Sequence, residues 1–266
     1  MSTARRRSDA VLGTIVGDVV GSVHESRRAK VDDRDFPLLA PGSRPTDDTV
    51  LTLAVAQAVR TDSGFASPVQ AWARRYPHAG YGGMFKAWVA AEDPQPYGSF
   101  GNGSAMRVAP ISCAYDDPAT VLDVAARSAA ITHDHPDGIT GAQAVAAATL
   151  HARLHGLPGL REVVRDFGYD LAPSVDQWRA ASTFDVTCAG TVPPAVQAVL
   201  EAHDLESAVR NAVYIGGDAD TLAAIAGAIA AAAFGVPDPL REAAWSRLDD
   251  AQRAEFTAFD EWLVAP

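Results

Sequence analysis

The chain of 266 residues predicts an all-α fold, and three observations carry that expectation. Runs rich in Ala, Val and Leu have the length of helices rather than of strands. Alternating apolar–polar segments bounded by turns are scarce. Helix breakers fall between the runs, at Pro41-Gly42, Tyr97-Gly98, His135-Pro136 and Gly235-Val236-Pro237.

Taken in order, the runs cover residues 50–59, 121–130, 141–154, 194–203 and 221–234. Residues 141–148 and 223–233 are so rich in Ala and Gly that their helices should pack closely in the interior. Both are too short to be read as membrane spans. No Gly-, Ser- or Pro-rich linker divides the chain and no solenoid period repeats, so one compact domain over residues 1–266 is expected.

Lys and Arg number 22 against 33 Asp and Glu, a formal net charge of −11. That balance argues against a general nucleic-acid binder and against binding to anionic membranes. It is compatible with an anionic small ligand, because bound cations invert the charge locally. Cys113 and Cys188 are the only cysteines and form no CxxC, which argues against thiolate zinc and a disulfide scaffold. Arg5-Arg6-Arg7 followed by apolar residues 10–17 superficially resembles a signal peptide. Asp18 ends that run early and no convincing small-residue cleavage site follows, so a cytoplasmic protein is expected.

Two acidic clusters stand at the mouths of apolar helical runs: Thr46-Asp47-Asp48-Thr49 and Gly216-Gly217-Asp218-Ala219-Asp220-Thr221. Carboxylate and hydroxyl oxygens are the ligands that hard divalent cations prefer, Mg²⁺ and Mn²⁺ ahead of zinc. Asp and Thr are also common helix N-caps, and first-turn acids are favoured by the helix dipole. At the level of sequence both readings stand, a two-metal site or a pair of capped helices.

Four further segments are specialised. Residues 17–25, GDVVGSVHE, place small residues on a first helix that can pack closely, with Glu25 just past its end. Residues 97–107, YGSFGNGSAMR, carry glycines that permit close approach of backbone N–H groups to a ligand. A helix starting near Ser104 would offer free N–H groups to a phosphate, and Phe100 could stack on a base. His133 and His135 lie in THDHPD; without a matching zinc-ligand set, a histidine that donates to a phosphate or caps a carbonyl is the better reading. Gly80-Tyr81-Gly82-Gly83 offers another close approach of backbone to a ligand.

The order and wording of these motifs resemble the ADP-ribosylglycohydrolases, the group that includes dinitrogenase reductase-activating glycohydrolase and the eukaryotic ADP-ribosylhydrolases. The resemblance rests on GDVVGSVHE, TDDT, GYGG, GNGSAMR, ITHDHPDG and GGDADT, in that order from residue 17 to 221. It implies a compact orthogonal multi-helix fold with two Mg²⁺ or Mn²⁺ ions at the bottom of a cleft. By matching positions it implies Thr46, Asp47, Asp48, Asp218, Asp220 and Thr221 as metal ligands, with Asp220 bridging both ions. It places the diphosphate of ADP-ribose on His133 and the loop Ser99, Phe100, Gly101, Asn102, Gly103 and Ser104, with Gly82 and Gly83 lining the same groove.

Phe100 matches an adenine-stacking aromatic of the serine-ADP-ribose branch, and Glu25 matches that branch's mobile glutamate. Asp18 and Arg107 are assigned to support, with no direct chemical role. Two departures accompany the match. The branch's second stacking aromatic would fall near Pro94, and THDHPDG looks more like the bacterial members.

The implied activity is hydrolysis at the anomeric carbon of the distal ribose, releasing ADP-ribose, with Glu25, Asp47 or Asp48 as the catalytic carboxylates. Glu25 leans toward O-linked substrates such as ADP-ribosyl-serine over ADP-ribosyl-arginine. The alternatives are cleavage of small esters such as O-acetyl-ADP-ribose, a non-catalytic ADP-ribose-binding protein, or a metal-dependent phosphohydrolase. A monomer is expected, with no membrane or nucleic-acid partner.

Overall fold

A computed structural model describes residues 6–25 and 30–265. Its regular elements are fourteen α-helices and one turn of 3-10 helix, with a single isolated bridge, Gly101 to Thr187, and no strand among the described residues. Arg5 of the arginine run lies outside them.

The fold is organised around α1 (Asp9–Gly21) and α12 (Ala219–Phe234), which are buried almost all round. They approach so closely because α1 presents glycine at each point of contact, opposite Gly227, Ala223 and Asp220. A Cβ on Gly13 would stand 2.1 Å from the Gly227 carbonyl oxygen, one on Gly17 1.9 Å from that of Ala223, and one on Gly21 2.5 Å from the Asp220 Cα. Spaced four apart, these glycines form one stripe along α1. The seam sets Asp18 of α1 beside Asp220 of α12, so packing and site geometry share one cause. Gly17→Val is expected to cost about 3 kcal/mol by overpacking against backbone that cannot yield. A thermal melt checks it; an unchanged midpoint would mean the seam opens freely.

Around this pair pack α2 (Asp47–Thr61), α7 (Pro136–His155), α10 (Cys188–Leu200) and α11 (Leu205–Ile215). The predicted run 50–59 is the interior of α2, whose start is capped by the Thr46 hydroxyl accepting from the Asp48 N–H. Run 121–130 lies in α6 (Pro118–Ala130), capped by Asp117, and run 141–154 lies in α7. Run 194–203 is displaced. The Thr187 side chain accepts from Gly190 N–H and starts α10 at Cys188, leaving Pro193 and Pro194 inside a helix that ends at Leu200.

The remaining helices are α3 (Ala66–Arg75), α4 (Gly83–Ala90), the almost wholly buried α5 (Ala109–Ala114), α8 (Leu160–Arg165), α9 (Val175–Ala181), α13 (Asp238–Trp245) and α14 (Asp250–Val264), and all of them but α14 have ten residues or fewer. The helix expected near Ser104 is a single 3-10 turn, Asn102–Ser104, followed by α5. No helix among the described residues is long and apolar enough to cross a membrane.

Candidate active site

Where α2 and α12 begin, beside the end of α1, a cavity of about 750 Å³ opens. Its volume suits a ligand of nucleotide size. The acidic clusters form its floor: Thr46, Asp47, Asp48, Asp218, Asp220 and Thr221 all line it, with Glu25 at the wall.

Asp18, fully buried, is the hub that shapes the first cluster. Its Oδ1 accepts from the Thr46 hydroxyl at 2.6 Å, and its Oδ2 accepts from the N–H groups of Thr46 at 2.8 Å and Thr49 at 3.0 Å. The Thr49 hydroxyl donates to the same oxygen. With both oxygens engaged, Asp18 fixes the turn that aims Asp48 inward. Burial raises its pKa, and these four hydrogen bonds hold it back.

The second cluster is not a capping arrangement. Asp218 occupies the N-cap position of α12 yet makes no side-chain cap bond. Its Oδ2 accepts instead from Asn102 Nδ2 at 2.5 Å, and the same amide reaches Thr191 Oγ1 at 3.0 Å. Gly216 and Gly217, at φ +80° and +88°, make the turn that delivers Asp218 there. The Thr221 hydroxyl donates to Asp48 Oδ2 at 3.3 Å, tying the two clusters together.

Carboxylate oxygens of Asp18, Asp48 and Asp220 all lie within 4.8 Å of one another, as do those of Glu25, Asp218 and Asp220. Asp220 belongs to both groups, and Asp47 to neither. So many acids in one buried place repel. Asp48 is held well above the usual carboxylate range by burial and then by Asp18 and Asp220. Asp220 is raised likewise by burial, Asp218 and Glu25. Asp47 is pushed to about 7 by burial first and Asp18 second, while burial raises Asp218 against the bond from Asn102. Asp48 Oδ1 is buried with no hydrogen-bond partner. An unpartnered carboxylate oxygen amid like charges is what a hard cation would satisfy, so this donor set fits a divalent metal.

Above the acids, the glycine-rich loop forms one wall. Asn102 N–H donates to the Val186 carbonyl at 2.8 Å, and Cys188 N–H to that of Phe100 at 3.0 Å. Ser99, Phe100, Gly101, Asn102 and Gly103 line the cavity with His133, as do Gly82 and Gly83 from the start of α4. A Cβ on Gly82 or Gly83 would meet nothing within 4 Å, so these two border open space. Phe100 stands half exposed at the rim, its ring centroid 5.4 Å from that of His135.

Ser104 differs from its neighbours. Its hydroxyl donates to the Gly138 carbonyl at 2.7 Å, away from the cavity, because the 3-10 turn rotates it toward α7. Asn102 likewise spends its amide on Asp218, which makes it an organiser of the acids. Sequence reasoning did not single out Phe184, Val186 and Thr187, which complete the rim. Their only signal is position: they face the glycine loop across a turn distant in sequence.

Residues 1–265 of the 266 match the family model described as ADP-ribosylglycohydrolase. Among relatives, ADP-ribosylhydrolase ARH3 of Bos taurus is 28% identical, the match covering 84% of this chain and 83% of that protein. ADP-ribosylarginine hydrolase Tri1 of Pseudomonas putida (strain GB-1) is 25% identical over 91% of this chain and 75% of its own length. A solved structure titled ADP-ribosylglycohydrolase-related protein complex superposes with a TM-score of 0.70 at 24% identity, covering 97% of this chain and 98% of that one, and it shares the fold. With an all-α architecture built around two acidic helix starts, the chain belongs to the ADP-ribosylglycohydrolase family and is a hydrolase.

Proposed function

We propose that the cavity is the active site of a Mg²⁺- or Mn²⁺-dependent ADP-ribosylhydrolase that cleaves the bond at the anomeric carbon of the distal ribose and releases ADP-ribose. The observation that carries this reading is Asp48 Oδ1, buried and unpartnered within a cluster of acids. Thr46, Asp47, Asp48, Asp218, Asp220 and Thr221 would hold two ions. Bound there, divalent cations would supply Lewis-acid polarisation of sugar hydroxyls or water.

The chain's own residues do the rest. Gly101, Gly103 and His133 offer polar contacts to the diphosphate, Gly82 and Gly83 leave room for the sugar, and Phe100 presents a ring face to the adenine. Holding the anomeric carbon against the acids converts the reaction to an effectively unimolecular one. Glu25, exposed at the mouth and within reach of Asp218 and Asp220, protonates the leaving oxygen as the glycosidic bond breaks. The same carboxylate then takes a proton from the water that adds to the anomeric carbon. Asp47 and Asp48 are assigned to metal holding.

O-linked substrates such as ADP-ribosyl-serine are favoured over N-linked arginine, because a single carboxylate at the mouth suits protonation of a leaving oxygen. Glu25→Ala is expected to lower kcat by about 100-fold while ADP-ribose affinity changes little, since general acid–base catalysis is typically worth that much. Steady-state kinetics beside calorimetry with ADP-ribose separate the two; a defect confined to affinity would make Glu25 a cover only. The reading itself is tested with a serine-linked and an arginine-linked ADP-ribosyl peptide, in Mg²⁺ and in EDTA, following free ADP-ribose by mass spectrometry. Mg²⁺-dependent release supports it and names the bond. If neither peptide is cleaved while ADP-ribose binds, the substrate is a small ester such as O-acetyl-ADP-ribose, or the protein only binds. Release of AMP or phosphate would make it a phosphohydrolase.

A further inference from the structure

Behind the glycine loop lies a cation that the acidic floor does not use. Arg107 is fully buried, and its Nε and Nη1 have no hydrogen-bond partner. Its Nη2 donates to the Ser128 carbonyl at 3.0 Å and to Thr132 Oγ1 at 3.0 Å. Thr132, itself fully buried, has its Oγ1 2.7 Å from His133 Nδ1. The other ring nitrogen, Nε2, faces the cavity wall, 3.3 Å from where a Cβ on Gly103 would stand and 3.5 Å from one on Gly101.

The protons along this chain can be assigned. A guanidinium only donates, so Thr132 Oγ1 is an acceptor toward Arg107. The hydroxyl's own proton then has one acceptor in reach, His133 Nδ1. A neutral imidazole accepting at Nδ1 carries its hydrogen on Nε2. The opposite tautomer would aim two donors at one hydroxyl and leave its buried proton with no acceptor. Charging the ring is opposed by burial and by the nearby guanidinium, which together lower its pKa to about 3.

We propose that Arg107 and Thr132 are positioning residues that lock His133 as the neutral Nε2–H tautomer, giving the cavity wall one fixed N–H donor for a phosphoryl oxygen. This rests on the reading of the cavity as a site for a diphosphate-bearing substrate. Arg107 also leaves a buried, uncompensated positive charge behind the same wall, which favours an anion there without a direct contact.

Two measurements separate the proposal from that reading. Long-range ¹H–¹⁵N correlation spectra of histidine-labelled protein, without ligand, report the tautomer of His133 directly. The expected result is a neutral ring protonated at Nε2 throughout pH 5 to 8. Thr132→Val, which keeps the shape and removes the hydroxyl, should release the ring into a mixture of tautomers, and Thr132→Ser should restore the wild-type spectrum. By calorimetry, Thr132→Val should raise the Kd for ADP-ribose about tenfold, with Thr132→Ser recovering it. An Nδ1-protonated ring in the wild type, or an unchanged tautomer in folded Thr132→Val, overturns the proposal. The expected spectra in a protein that fails to bind ADP-ribose would leave the lock standing and overturn the reading of the substrate.

Discussion

Asp220→Ala is expected to lower turnover by about 1000-fold, the several kcal/mol that metal-assisted charge stabilisation contributes at about 1.4 kcal/mol per decade. Asp220 is the one carboxylate shared by both close groups of acids, so its loss strips donors from both prospective ions at once. Unlike most removals of a buried polar group, this one should leave the fold intact. Asp220 is 5% exposed and sits against Asp218, Glu25 and Asp18, all of which disfavour its ionised form. Taking it away relieves repulsion in the metal-free protein. Steady-state assays in Mg²⁺ beside thermal melts in EDTA check both halves: near-wild-type turnover would remove Asp220 from the reaction, and a collapsed melt would make its role structural.

Chelation should produce the second large effect, complete loss of activity together with a stability that depends on pH in an unusual direction. Asp47 titrates near 7 against an ordinary 3.8, and Asp48 and Asp220 lie well above that ordinary value. Between the two values for Asp47, the folded metal-free protein holds a proton that the unfolded chain has lost. Stability changes with pH as protons bound unfolded minus protons bound folded, which is negative here. This contribution is therefore fully present below about pH 4 and is lost as pH rises through about 7. Added Mg²⁺ replaces those protons, so its stabilisation should grow with pH. Melting curves from pH 5 to 8, with EDTA or excess Mg²⁺, should show a larger Mg²⁺-induced rise in Tm at pH 8 than at pH 5; a rise of equal size at every pH would show that no carboxylate of raised pKa binds the ion.

Several features were legible in the sequence because local physics decides them. The TDDT motif announces a helix start, and Thr46 does cap α2, yet the same turn delivers Asp48 into the cluster; capping and inward aim are compatible uses of one motif. In GGDADT the cap reading fails at Asp218, whose carboxylate turns to Asn102, a partner 116 positions away. Helical runs were readable where Ala, Val and Leu dominate, as in α2, α6, α7 and α12. The start of α10 was not, because the cap at Thr187 lies seven residues before the apolar run at 194–203. The short helices α3, α8, α9 and α13 carry too few apolar residues to announce themselves.

The contacts that shape the glycine-loop wall of the cavity were beyond any local pattern. Arg107 reaches Thr132 across 25 positions, and Phe100 and Asn102 exchange backbone bonds with Cys188 and Val186 across more than 80. No period or composition encodes such meetings; they follow from how α5, α6 and α10 pack around α7. Ser104 shows the converse. It belongs to the most distinctive motif in the chain, yet its hydroxyl faces the core.

The most direct test is a calorimetric titration of metal-stripped protein with Mn²⁺ near pH 7.5. Two saturable sites per chain are predicted, reduced to one or none in Asp48→Ala and Asp220→Ala, with protons released on binding. No saturable binding, or the same two sites in both variants, would contradict a dinuclear centre built on these acids.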